Sequence, residues 1–166
     1  AMTTPRNISN TGVEAMPEPP MILNNDEYTE IENAIISTEE LGAKVRQLFR
    51  NNSDDDVHDI SWEVDAAVEA LDVFASRWTI EILATLYIAG ERRFNELRRL
   101  LVGISSRTLS DKLTTLRLSG FVDRIVIDGP PVKVTYKLTD HGNRSGRLLS
   151  PLVAYMKLNN ESVKKR

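Results

Sequence analysis

Residues 94–138 read FNELRRLLVGISSRTLSDKLTTLRLSGFVDRIVIDGPPVKVTYKL, and this stretch decides the fold. Its middle, ISSRTLSDKLTTLRLSG, opens on hydroxyl residues that suit a helix N-cap and closes on a glycine that suits a helix end. Leu109, Leu113 and Leu116 recur at the spacing of one helical face. Gly120 then gives way to two β-rich runs, Phe121–Ile127 and Val132–Leu138, around the turn sequence Asp128-Gly129-Pro130-Pro131. In the second run Val134, Tyr136 and Leu138 alternate with Lys133, Thr135 and Lys137, which predicts one face on a core and one toward solvent or phosphate.

Upstream, Asn95 offers an N-cap for a short helix over Glu96–Leu101, with Leu97, Leu100 and Leu101 facing inward. Glu91–Phe94 is too short for a helix and suits a brief strand. Val64–Ala75 and Trp78–Ala89 read as helices. The first carries Val64, Ala67, Val68, Leu71 and Phe74 on one face. The second buries Trp78, Ile82, Leu83, Leu86 and Ile88 and ends at Gly90. Downstream, Thr139 or Asp140 caps a last helix to about Leu158, with Leu148, Leu149, Leu152, Tyr155 and Met156 on its apolar side. The order helix, helix, short strand, helix, helix, strand, turn, strand, helix is that of a winged helix-turn-helix. The expected class is mainly α with a small β hairpin (α+β), with helices at both ends that serve dimerisation.

Before this region the chain changes character. Residues 1–24 show no apolar period and read as a disordered tail. From Asn25 to about Arg50, Tyr28, Ile31, Ile35, Thr38, Gly42, Val45 and Phe49 step by three and four, a helical seam that needs a partner surface. Ser37-Thr38-Glu39-Glu40 could instead cap a second, shorter helix. The segment NNSDDDVHDI at 51–60 lacks the glycine and terminal glutamate of a calcium loop and reads as a solvated linker. The expected division is 1–24 tail, 25–60 helical extension with acidic linker, 61–158 winged helix-turn-helix domain and 159–166 basic C-terminal tail.

Composition narrows the chemistry. The chain has 166 residues and no cysteine, which removes disulfides, thiol nucleophiles and cysteine-bound zinc. Two histidines, His58 and His141, leave little for a histidine-rich metal site. No apolar run reaches membrane-spanning length and no signal core is present, so a cytoplasmic, nucleoid-associated protein is expected. Residues 1–72 hold 4 Lys/Arg against 16 Asp/Glu, whereas 73–166 hold 17 against 8. A basic half on an acidic chain points to nucleic acid. No nucleotide-binding fingerprint or nucleophile elbow is present, so no enzyme, cofactor or metal is expected.

A DNA-reading helix must present short polar and cationic side chains near its N-terminus. Ser105, Ser106, Arg107, Thr108, Ser110, Asp111 and Lys112 meet that demand. An arginine there can take guanine bidentately, and free N–H groups at the helix start favour a phosphate. Arg124, Lys133 and Lys137 are expected on the outer face of the hairpin, with Arg92, Arg93, Arg98 and Arg99 adding cations nearby. Trp78 reads as a core anchor and His141 as a surface or capping residue.

These residues resemble the HxlR family of winged-helix transcriptional regulators. The resemblance rests on Arg77-Trp78-Thr79, Arg93-Phe94-Asn95-Glu96-Leu97, Gly103-Ile104-Ser105, Leu109-Ser110 with Leu113, and Gly120-Phe121-Val122. It continues through Pro131, Val134-Thr135-Tyr136-Lys137-Leu138-Thr139 and Gly142, and spans about Val64 to Leu158. It implies a homodimer on a two-fold operator in double-stranded DNA, with the 105–118 helix in the major groove and the 122–138 wing on the backbone. It implies dimerisation through N-terminal and C-terminal helices. Some members of the family sense reactive species through a cysteine at a place near Asp65 here, and this chain has no cysteine to do so. It also departs from the family pattern in Ser106, where proline is usual, and in Ala75-Ser76-Arg77-Trp78, where Gly-Gly-Lys-Trp is usual. Two further readings stand beside DNA binding: a protein-docking module using the same basic surface, and a sensor of a small-molecule effector held between subunits.

Overall fold

The structure is a computed structural model that describes residues 18–52 and 60–166. The acidic cluster at 53–59 and most of the N-terminal segment lie outside the described residues, and with them the linker reading and most of the tail reading. The chain divides into two compact units, one of residues 60–147 and one formed by the N-terminal region with residues 148–166.

The first unit contains α2 (Ile60–Leu71), a 3-10 turn (Asp72–Phe74), α3 (Arg77–Ala89), β2 (Arg92–Arg93), α4 (Phe94–Leu100), α5 (Ser106–Leu118), β3 (Val122–Ile127) and β4 (Lys133–Leu138). It also takes in the start of α6 (Asp140–Asn159). The three strands form one antiparallel sheet in the order β2-β4-β3. Ile82, Leu83 and Leu86 of α3 meet Leu97 of α4, Leu109, Leu113 and Leu116 of α5, and Val122 and Leu138 of the hairpin in one buried cluster. Each such side chain contributes roughly 1.5–3 kcal/mol through burial, and together they fix α5 against α3 and the sheet.

Two glycines close this unit. Gly120 ends α5 at a φ of 79°, a conformation that a side chain resists. Gly142 passes so near the hairpin that an added Cβ would stand 2.4 Å from the Phe121 carbonyl oxygen. The Thr139 hydroxyl ties the same corner, donating to the Gly120 carbonyl at 2.6 Å and accepting the Gly142 N–H at 3.1 Å. Thr139 is therefore the residue that caps α6.

The structure corrects several boundaries. The Val64–Ala75 helix runs as α2 over Ile60–Leu71 and tightens into the 3-10 turn, and Val64, Val68 and Leu71 stay exposed. The short helix begins at Phe94 rather than Glu96, because the Glu96 carboxylate takes the Arg93 N–H at 3.2 Å and so caps two residues earlier. Ile88 and Leu100 are exposed rather than inward, each turned away from the leucine face of its helix.

In the second unit, α1 is one helix over Asn25–Asn51. Asn24 caps it, its Oδ1 accepting the Glu27 N–H at 2.9 Å. No second helix starts at Ser37, since the Thr38 hydroxyl donates back to the Ala34 carbonyl within α1. Tyr28, Ile31 and Ile35 are covered, whereas Leu41, Val45, Leu48 and Phe49 are exposed. Both segments expected as tails carry a strand: β1 (Met21–Leu23) pairs in parallel with β5 (Val163–Lys165). The Met21 N–H donates to the Ser162 carbonyl at 2.9 Å and the Arg166 N–H to the Leu23 carbonyl at 2.8 Å.

Candidate nucleic-acid interface

The candidate interface centres on α5. Ser105 is its N-cap: its Oγ accepts the Thr108 N–H at 3.0 Å and donates to Thr108 Oγ1 at 2.9 Å. These two hydroxyls hold the helix start in place, a role distinct from reaching for a base. Leu109, Leu113 and Leu116 occupy the buried side. At 3.6 residues per turn, Arg107, Asp111 and Thr114 fall roughly opposite that stripe, with Ser110 at its edge. All four are exposed, so the face turned to solvent carries a guanidinium, a carboxylate and two hydroxyls. Ser106 is exposed in the first turn, beside N–H groups that have no intrahelical acceptor. Lys112 lies apart from this group: it is half-buried on the flank of α5 and lines a cleft toward the 3-10 turn.

The hairpin sorts its cations by register. Residues directly opposite in an antiparallel pair share a face. Arg124 stands opposite Tyr136, and Val122 opposite Leu138, on the core side. Ile127 stands opposite Lys133 and Asp123 opposite Lys137, on the other side. Arg124 therefore projects from the face opposite Lys133 and Lys137, a correction to the expected outer-face trio. It is exposed all the same, on a strand at the edge of the sheet. Arg93 pairs with Thr135 and so joins Lys133 and Lys137 on the outer face, a placement that only the pairing reveals. Arg92 lies on the core side, its guanidinium donating to the Glu91 carbonyl at 2.7 Å. Arg98 and Arg99 are exposed at the end of α4.

Among the described residues no three His, Cys, Asp or Glu side chains converge as a metal site, and no helix is long and apolar enough to cross a membrane. The profile of the HxlR-like helix-turn-helix family matches residues 73–164, more than half the chain and the whole of the α3-to-hairpin arrangement. The chain belongs to the HxlR-like helix-turn-helix family.

Its relatives in this family are transcriptional regulators and not enzymes. It is 38% identical over 85 residues to the HTH-type transcriptional regulator YvaP of Bacillus subtilis, covering 51% of this chain and 74% of that protein. It is 41% identical over 87 residues to YybR of the same organism, covering 52% and 66%. Among solved structures, the HTH-type regulator ytcD superposes with a TM-score of 0.52 at 31% identity, covering 56% of this chain and 94% of that one. A regulator of the MarR family from Enterococcus faecalis gives a TM-score of 0.52 at 27% identity, covering 65% and 94%. The HxlR-like chain is thus a DNA-binding transcriptional regulator of winged-helix fold. Its residues 1–72 lie outside the family match.

Proposed function

We propose that this HxlR-family regulator binds a two-fold operator in double-stranded DNA as a homodimer, with α5 in the major groove and the wing along the backbone. The exposed face of α5 carries this reading. Arg107, Ser110, Asp111 and Thr114 face solvent from a helix whose other side is locked by three buried leucines. Arg107 reads a guanine, and Ser110 and Asp111 reach neighbouring bases or orient that arginine. Ser106 and the N–H groups of the first turn meet a phosphate, and Lys133, with Lys137 and Arg93, neutralises others. Arg124 takes a separate phosphate from the far side of the wing. Ser105 and Thr108 act by holding the helix start.

With about four phosphates neutralised per subunit, log K should fall with log salt at a slope near −7 for the dimer, from about −0.9 per phosphate. Fluorescence anisotropy with operator and unrelated duplexes measures it. A flat response with no preferred duplex would overturn the proposal in favour of the protein-docking reading.

The partner of each subunit is a second copy. Leu41, Val45 and Leu48 on α1 and Leu148, Leu152 and Met156 on α6 are each more than half exposed or close to it within one chain. Such rows of large apolar side chains call for cover. Leu41→Asp with Leu48→Asp should leave the fold intact, since both positions are exposed, and should turn the dimer into a monomer by sedimentation. Affinity for a two-fold duplex should fall with it. A wild-type protein that sediments as a monomer at micromolar concentration refutes the assembly.

A further inference from the structure

A cleft of about 610 Å³ lies between the 3-10 turn, the start of α3, the Lys112–Ser119 side of α5 and the Phe121–His141 ring pair. Its size falls within the roughly 300–1,000 Å³ of small-molecule sites. Three observations say what it would hold. The first is the start of α3: Ser76 is its N-cap but forms no side-chain capping bond, so the first N–H groups and their partial positive charge remain available to a ligand. The second is Thr79, a polar side chain only 5% exposed that lines the same cleft. Thr79 is the third residue of α3, in the same first turn as those N–H groups. The third is Lys112, half-buried on the cleft wall, a cation with no ion-pair partner among the described residues.

The rest of the wall decides the remainder of the ligand. Val73, Leu116 and Phe121 supply an apolar floor, and the Phe121 ring lies 4.4 Å from that of His141 and 6.2 Å from that of Phe74. Glu69 and Asp72 also line the cleft, but both are exposed, where water screens them. Thr79 is therefore buried and Lys112 half-buried, while the carboxylates are peripheral. That arrangement favours one negative charge at the inner end and disfavours a bulky polyanion.

We propose that this cleft is an effector site for a small aromatic monocarboxylate, held by the α3 N-terminus, Thr79 and Lys112, with its ring on the apolar floor. Because Lys112 and Thr115 belong to α5 and Ser119 is its C-cap, occupancy changes the affinity for DNA. This regulatory half rests on the DNA-binding reading, whereas the binding half does not.

Calorimetry on the full chain without DNA tests the site, with benzoate as the probe. Saturable binding is expected, with a dissociation constant on the order of 0.1–1 mM for so small a ligand. Ser76→Asp should abolish it: aspartate is a favourable N-cap, so the helix gains while its own carboxylate takes the N–H groups. Thr79→Val, which keeps the shape and removes the hydroxyl, should weaken benzoate several-fold. Absence of saturable binding would overturn the site, as would unchanged affinity in Ser76→Asp. Equal affinity for benzyl alcohol, benzylamine or inorganic phosphate would overturn the ligand class. Duplex affinity with and without saturating benzoate then tests the coupling, expected to be about fivefold or more. An unchanged affinity there, with benzoate bound, overturns only the regulatory half.

Discussion

Leu113→Ala should cost about 2–5 kcal/mol of stability, the range for truncating a buried leucine in a core that only partly relaxes. Leu113 is 1% exposed at the centre of α5 and belongs to the cluster that joins α3, α4 and the hairpin. The loss is read from urea denaturation as a lower midpoint at unchanged slope. Leu118, on the same helix and 85% exposed, is the control: Leu118→Ala should stay within about 0.5 kcal/mol of wild type. DNA binding should fall in Leu113→Ala only as far as the folded fraction falls. Equal effects at the two positions would mean that α5 does not pack by its leucine side.

Arg107→Ala should act on recognition with little effect on stability. Its side chain is exposed, so the folded state loses almost nothing, whereas a bidentate guanine contact is worth about 1–3 kcal/mol, or roughly 5- to 150-fold in affinity. The loss should appear on the operator and be small on unrelated duplex, so sequence preference relaxes. Lys133→Ala should weaken all duplexes alike and lower the salt slope by about one. If both variants lose affinity in the same pattern, base reading does not reside in α5. Lys137→Ala and Arg124→Ala, each removing one further phosphate contact, should behave as Lys133→Ala does.

The sequence made the centre of the molecule legible for physical reasons. Leu109, Leu113 and Leu116 sit between a serine cap and a glycine with φ of 79°, so period, start and stop all agree. The alternation of β4 likewise survives in the structure, with Leu138 buried and Lys133 and Lys137 exposed. What escaped was whatever depends on a partner in space. The face of Arg124 follows from its pairing with Tyr136 rather than from its own neighbours in sequence. Lys112 looks like Arg107 in a list of polar residues, but five residues along a helix turn a side chain by about 140°, from the open face to the flank. Ile88 and Leu100 are apolar, which says nothing of direction once a helix is short of core to face. Strands of three residues such as β1 and β5 are too short to show a period, and their partners are at opposite ends of the chain.

That last pairing sets an order of events. Met21 lies beside Val163 in the β1–β5 register. At about 5–20 residues per second, the roughly 140 residues between them take on the order of ten seconds to be synthesised. During that interval β1 has no strand to join, and closing so long a loop is entropically costly until the intervening unit has folded. The two ends therefore meet last in folding and should part first, with the Met21 and Arg166 amides losing hydrogen-exchange protection ahead of the α5 core.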